Sequence, residues 1–513
     1  MKPSTELFEL IRSMSRSEKR FFKLNASIQK GEKNYLRLFD AIDAQKEYDE
    51  EAIKERFQGE TFINHLPSEK NHLYKHILRT LRLYHSDDSA DAQAQKELKN
   101  VEVLYRKRLF REARKFLNRA RRLVERYEKF NHLLDVISWE KALLQESGDT
   151  RKVTARMDEL VMEEKATIEK VRDLADHRIL YSKMHFAFKS GGFVRSAEEQ
   201  ELVREIKEDP LLQREEKGLS SRAATLFHYI RGYCYSAELN REKAFQEFSK
   251  VRSILDEEGP LREDLPHRYI DTIRHLINYR VWQGDFDEAK SLLDELQALS
   301  RKKGFQSVNL QVRIFEIVSN SELLLIDQKG EHHRIHERMK RIEKGIEAYG
   351  EKMNKEQWIL LSFNIAYVYF GAGERSKTIN WLSRILNDKD DEIRRDLRSY
   401  ARLFNLIVHY EQGNKELLEY LIRSTYRYLS KTKRDLRIET MILEYLKKLA
   451  KTQEPEQVSV LFREMKQKAE EILKDPQEHV FLEYFDLLAW LKSKTSGGDF
   501  STAVREKKDK AEA

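Results

Sequence analysis

The chain has 513 residues, 40% apolar and 36% charged, with 95 Lys and Arg against 88 Asp and Glu, a net charge of +7. The single cysteine, Cys234, excludes an internal disulfide framework and a CxxC metal site, as suits a reducing compartment. Charges interrupt every apolar group at the amino terminus, and no stretch nears the roughly 20 apolar residues of a membrane span, so a cytoplasmic location with no membrane partner is expected.

Only 18 Gly and 7 Pro interrupt a chain rich in Leu, Glu, Lys and Arg, which is an all-α composition. Residues 1–85 read as a separate helical domain. Thr5 to Met14 places Leu7, Leu10 and Ile11 on one face; Ser15 and Ser17 are N-cap candidates for a helix through Phe21, Phe22 and Leu24. Helices follow at about 33–44 and 49–57, and the strongest runs from Ser68 to Tyr84 with Leu73, Ile77, Leu81 and Tyr84 turned inward. The small, acidic run 86–95 reads as a linker or as the capped start of the next helix.

From 96 to 475, turn-like patches recur at Arg108, Gly148, Gly192, Leu239, Gly284, Gly330, Gly373, Gly413 and Gln453, each between two amphipathic stretches. A period of about 40 to 47 residues built from helix pairs signals a helical-repeat array. Three units carry a more specific pattern. One reads GDFDEA from Gly284 to Ala289. A second has Gly232 and Tyr235 in its first helix, then Ala244 and Phe248, and a third has Ile365, Ala366 and Tyr369 with Thr378 in place of the second-helix alanine.

These residues resemble the tetratricopeptide repeat, in which small side chains sit where two helices cross. The resemblance implies an α-α superhelix of helical hairpins and a groove, lined by the first helix of each pair, that holds a protein or peptide. Tyr229, Tyr233, Arg280, Trp282, Trp358, Asn364 and Tyr367 are the groove contacts it implies. The remaining units keep the turn and the apolar stripe without the signature, and their period exceeds the family's 34 or so residues. A capping helix is expected over 476–494, followed by a disordered polar tail over 495–513.

The sharpest charge feature lies between Arg106 and Arg126, where ten of 21 residues are Lys or Arg. At 100° per residue, Arg108, Arg111, Lys115, Arg119, Arg122 and Arg126 fall within an arc of about 80°, opposite Leu117, Ala120 and Val124. Such a ridge suits nucleic-acid phosphates, an acidic protein surface, or ion pairing with a neighbouring repeat. The helix 68–84 presents His72, Lys75, His76, Arg79 and Arg82 as a second basic face, although ten residues separate it from the preceding helix, too many for a helix-turn-helix.

His332 and His336 have the i, i+4 spacing of metal-ligating pairs, yet no third ligand stands at a helpful spacing, and surface histidines beside a turn are expected. Cys234, between Tyr233 and Tyr235, reads as a small apolar filler. No phosphate loop, nucleophile elbow or HExxH occurs in the sequence. The expectation is a non-enzyme without cofactor or metal: an interaction scaffold, or alternatively a cytoplasmic regulator that binds nucleic acid through its N-terminal helices or its Arg-rich helix.

Overall fold

The structure, a computed structural model, describes residues 5–28, 34–146, 150–189, 197–216, 218–388, 393–431 and 436–512. Among these the chain is all-α, with no strand. It divides into two compact units, Met1–Ile168 and Glu169–Ala513.

The first unit opens with α1 (Glu6–Ser13), α2 (Arg16–Ile28), α3 (Asn34–Asp43), α4 (Glu50–Arg56), a 3-10 turn (Thr61–His65) and α5 (Leu66–Tyr84). Leu7, Ile11, Phe22, Phe39, Ile42, Leu73 and Ile77 bury together and give these helices an apolar cluster of their own. Ser89 then caps α6 (Ala90–Arg106) by accepting the Ala92 N–H, so most of the expected linker is the first turn of a helix. With α7 (Phe110–Arg126), α8 (Phe130–Gln145) and the start of α9 (Thr150–Lys189), α6 builds a second cluster around Val101, Leu117, Val136, Ile137 and Leu160. The first compact unit, which runs to Ile168, takes in both clusters. Arg121 of α7, paired with Glu140 of α8 and Glu163 of α9, ties these helices together.

The second unit continues with α10 (Ala197–Glu208), α11 (Pro210–Gln213), α12 (Ser221–Ala237), α13 (Arg241–Glu257), α14 (Gly259–Asp264), α15 (Pro266–Gln283), α16 (Phe286–Leu299) and α17 (Val308–Gln328). It goes on through α18 (Ile335–Tyr349), α19 (Lys355–Gly371), α20 (Arg375–Leu386), α21 (Arg395–Glu411), α22 (Lys415–Lys431), α23 (Arg437–Lys451) and α24 (Pro455–Ile472). It closes with α25 (Pro476–His479), α26 (Leu487–Ser496) and α27 (Phe500–Glu512). Successive helices pack as pairs, α12 on α13, α15 on α16, α17 on α18, α19 on α20, α21 on α22 and α23 on α24, and each pair packs on the next.

The turns within these pairs share one backbone conformation. Leu239, Gly284, Gly330, Gly373 and Gly413 all have positive φ, 40 to 46 residues apart, and Arg108 of the first unit has it too. After each, the next N–H reaches back to a carbonyl one helical turn earlier: Asp285 to Arg280, Glu331 to Ile326, Glu374 to Tyr369, Asn414 to His409, Asn240 to Tyr235 and Leu109 to Leu104. That is the Schellman closure, which satisfies carbonyls a helix end leaves open and favours glycine at the left-handed residue. Gly148 and Gly192 lie outside the described residues. Near Gln453 the chain runs extended instead, with Glu454 at φ −76°, ψ 124°, because Pro455 starts α24 and bars the helical conformation from the residue before it.

Small residues sit where paired helices cross. A Cβ on Gly232 would lie 2.8 Å from the Phe248 ring, Ala366 and Ala289 are fully buried, and Thr378 is buried with its hydroxyl donating to the Glu374 carbonyl. Hydrogen bonds between neighbouring pairs repeat the same interval. Arg268 donates to Thr225, Arg313 to Asp271, Gln357 to Glu316 and Asn364 to Asn320, each link spanning 41 to 44 residues.

The carboxyl-terminal segment departs from expectation. The single capping helix is broken into α25, a 3-10 turn (Val480–Glu483) and α26, whose first turn is capped by Asp486 accepting the Ala489 N–H. The tail expected to be disordered forms α27, with Phe500, Ala503 and Val504 each about 5% exposed or less. Its physical reason is an apolar seat: Phe500 meets Tyr367, Phe370 and Phe485 at ring distances of 6.0, 5.4 and 6.1 Å.

Candidate functional site

In the first unit, α7 carries five of the six expected ridge cations; Arg108 stands before its first turn, at φ 58° in the left-handed turn that ends α6, so helical spacing does not place it on the arc. Arg108, Arg111, Lys115, Arg119, Arg122 and Arg126 are all exposed, and none forms an ion pair among the described residues. Arg121, flanking this arc, takes the carboxylates instead: Glu125 at 3.2 Å, Glu140 at 2.7 Å and Glu163 at 2.5 Å. Ion pairing with a neighbouring helix therefore uses one guanidinium and leaves the ridge free. The guanidiniums of Arg119 and Arg126 lie over the rings of Phe116 and Tyr127, 5.0 and 5.8 Å from the ring centres. On α5, Lys75, Arg79 and Arg82 are likewise exposed without ion pairs among the described residues, and His76 is half-buried, its pKa lowered by burial and by His72 and Arg79.

In the second unit the residues expected to line a groove separate. Tyr229 is 2% exposed and Tyr367 9%, so both are core: Tyr229 packs on Phe248, and the Tyr367 hydroxyl accepts the Asp486 N–H from the carboxyl-terminal segment. Tyr233 is half-buried, its hydroxyl 3.2 Å from His275 Nε2. Arg280 covers the Phe245 ring at 4.8 Å and pairs with Asp285, while Asn364 is held by Asn320. Trp358 is half-buried beside Trp381. Trp282 alone of the seven is exposed, at 55%, with Arg241 over its ring.

The polar set that does converge was not singled out from sequence: Arg268, Asp271, Arg274 and His275 of α15 with Arg313 and Glu316 of α17. Arg313 binds Asp271 through Nε and Nη2 at 3.0 and 2.6 Å. Arg274 receives no such share; its Nε is buried without a hydrogen-bond partner, 3.9 Å from Asp271. Arg268 makes no ion pair among the described residues and bonds only the Thr225 hydroxyl, and burial, with the cations Arg222 and Arg178 nearby, pushes it down to about 10. Burial raises Glu316 even though Arg313 and Arg274 oppose it. The result is a surplus of guanidinium over carboxylate. A legible signal existed, since polar partners on α15, α17 and α19 recur at the repeat interval.

His332 is fully buried rather than on the surface. Nδ1 faces Ser501 Oγ at 2.5 Å and Nε2 faces Asp327 at 3.0 Å, and a Cβ on Gly371 would lie 2.1 Å from the ring. His333 and His336 are exposed, and His336 pairs with Glu374. Among the described residues no three His, Cys, Asp or Glu converge as a metal would need, and no helix is long and apolar enough to cross a membrane. Cys234 is 1% exposed, and burial pushes its thiol up to about 12, which leaves it protonated at neutral pH.

No protein-family model matches this chain, and a search of the curated proteins returned no significant match.

Proposed function

We propose that the protein is a non-catalytic cytoplasmic interaction scaffold: a divergent tetratricopeptide-like superhelix that binds a segment of another protein along the face shared by α12, α15, α17 and α19. The recurring left-handed turns, the small residues at helix crossings and the hydrogen bonds spanning 41 to 44 residues support the repeat reading. In such an array these helices are the first of each pair and line the groove.

One observation carries the binding reading. Arg268 is a guanidinium that no carboxylate pairs among the described residues, and Arg274, though beside Asp271 at 3.9 Å, keeps a buried Nε without an acceptor, a state that costs free energy unless a ligand supplies the acceptors. The excess of positive charge selects an acidic segment. The test is a tagged pull-down with and without nuclease, using the natural protein and the Arg268→Ala/Arg274→Ala variant. A stoichiometric protein that survives nuclease and is lost from the variant supports the reading. Retention of that protein by the variant refutes this face as the binding site.

A further inference from the structure

We propose that α7 binds the phosphodiester backbone of double-stranded nucleic acid, a second interaction independent of the scaffold reading. Arg111 to Arg126 spans about 22 Å at 1.5 Å per residue. A duplex presents one negative charge per roughly 1.7 Å of axis, so some 13 phosphates pass beneath that length.

Two observations favour phosphate over an acidic protein. First, the ridge cations remain without carboxylate partners although Glu125, Glu140 and Glu163 are close enough to engage Arg121. Second, α7 exposes no apolar side chain: Ala113, Leu117, Ala120 and Val124 are buried, and Phe110, Phe116 and Leu123 pack on the unit's own cluster. Protein interfaces draw their affinity from aromatic or aliphatic anchors seated in pockets, and beside this helix face only Leu109, 44% exposed in the turn before α7, offers an apolar side chain. A row of cations alone suits backbone neutralisation, which carries affinity without reading bases. Lys75, Arg79 and Arg82 of α5 add further free cations in the same unit.

The test uses the full chain and fluorescein-labelled 20-base-pair duplexes of DNA and of RNA, read by anisotropy between 50 and 200 mM salt. Five phosphate contacts predict a fall in affinity on the order of 10³-fold across that range. Arg111→Glu/Arg119→Glu/Arg122→Glu should abolish binding at 100 mM salt, while the matching Lys replacements retain it. The same number of reversals on α22, at Arg423, Arg427 and Lys431, should leave affinity within about threefold. Because all these positions are exposed, melting curves and circular dichroism should match the natural protein. Duplex affinity that ignores salt, equal loss from the α22 reversals, or poly-glutamate displacing the duplex at lower charge concentration than unlabelled DNA would each overturn the assignment; the last would give the ridge to an acidic protein. Equal binding of the two duplexes fits backbone recognition, and preference for one names the natural partner.

Discussion

Asp271 on α15 receives both Nε and Nη2 of Arg313 on α17, at 3.0 and 2.6 Å, and the two residues stand one repeat interval apart. The pair is a strut between neighbouring helix pairs. Asp271→Asn removes the charge that lies nearest both Arg313 and the poorly partnered Arg274, leaving Glu316, 3.6 Å from Arg313, as the remaining carboxylate of the set. A loss of about 2 kcal/mol follows from charged hydrogen bonds of this kind, read as a lower urea midpoint with the slope unchanged. A change below about 0.5 kcal/mol would mean that water substitutes fully for the carboxylate.

The left-handed turns give paired predictions of opposite sign. Leu239 adopts φ 58° with a Cβ, whereas Gly284 adopts φ 86° without one. Leu239→Gly should stabilise by a few tenths of a kcal/mol, because strain of about 1–2 kcal/mol is relieved while chain entropy takes back part of it. Gly284→Ala should destabilise by about 1 kcal/mol. Thermal melts of the two variants should move in opposite directions.

Two buried carboxylates differ in their response to acid. Burial works to raise Asp396, but hydrogen bonds from Arg394 at 2.9 and 2.8 Å and from Tyr484 at 2.8 Å outweigh it and lower the pKa. Its contribution is therefore present above the unfolded value near 4 and fades as pH falls through the lower folded value. Glu316 has the opposite sign: burial raises its pKa, so its ionised form costs stability once pH rises past the unfolded value near 4.5. Asp396→Asn should be costly at pH 7 and nearly neutral at the acid end of the accessible range. Glu316→Gln should change little near pH 4 and should stabilise at pH 7. Urea titrations of each variant across that range check both signs.

The carboxyl-terminal helix should behave as core. Phe500 is 5% exposed against Phe370, Tyr367 and Phe485, so Phe500→Ala should cost about 3 kcal/mol. Deleting 497–513 should cost at least as much and expose the His332 ring to solvent. A disordered tail would make both changes silent in a melting curve.

Much of the architecture was legible because its causes are local. Helices follow from periodicity and from caps three residues away, as with Ser89 and Asp285, and five described turns at Leu239, Gly284, Gly330, Gly373 and Gly413 follow from helix ends whose carbonyls need a left-handed residue. The α7 ridge was legible for the same reason, since angular position round one helix depends only on residue number. That its cations stay unpaired was not, because the competing carboxylates sit on α8 and α9.

By itself, then, the sequence determined an all-helical chain, the positions of most turns and the arc of charge on α7. Tertiary structure decided which first-helix aromatics are core and which is free: Tyr367 is sealed by Asp486, 119 positions later, and Trp282 meets no such cover. It also decided that His332 is buried against Ser501, 169 positions away, and that Phe500 belongs to the core. A helix's periodicity states which side is apolar but not what covers it. Burial depends on a partner surface that arrives from distant sequence, and no local pattern encodes that partner.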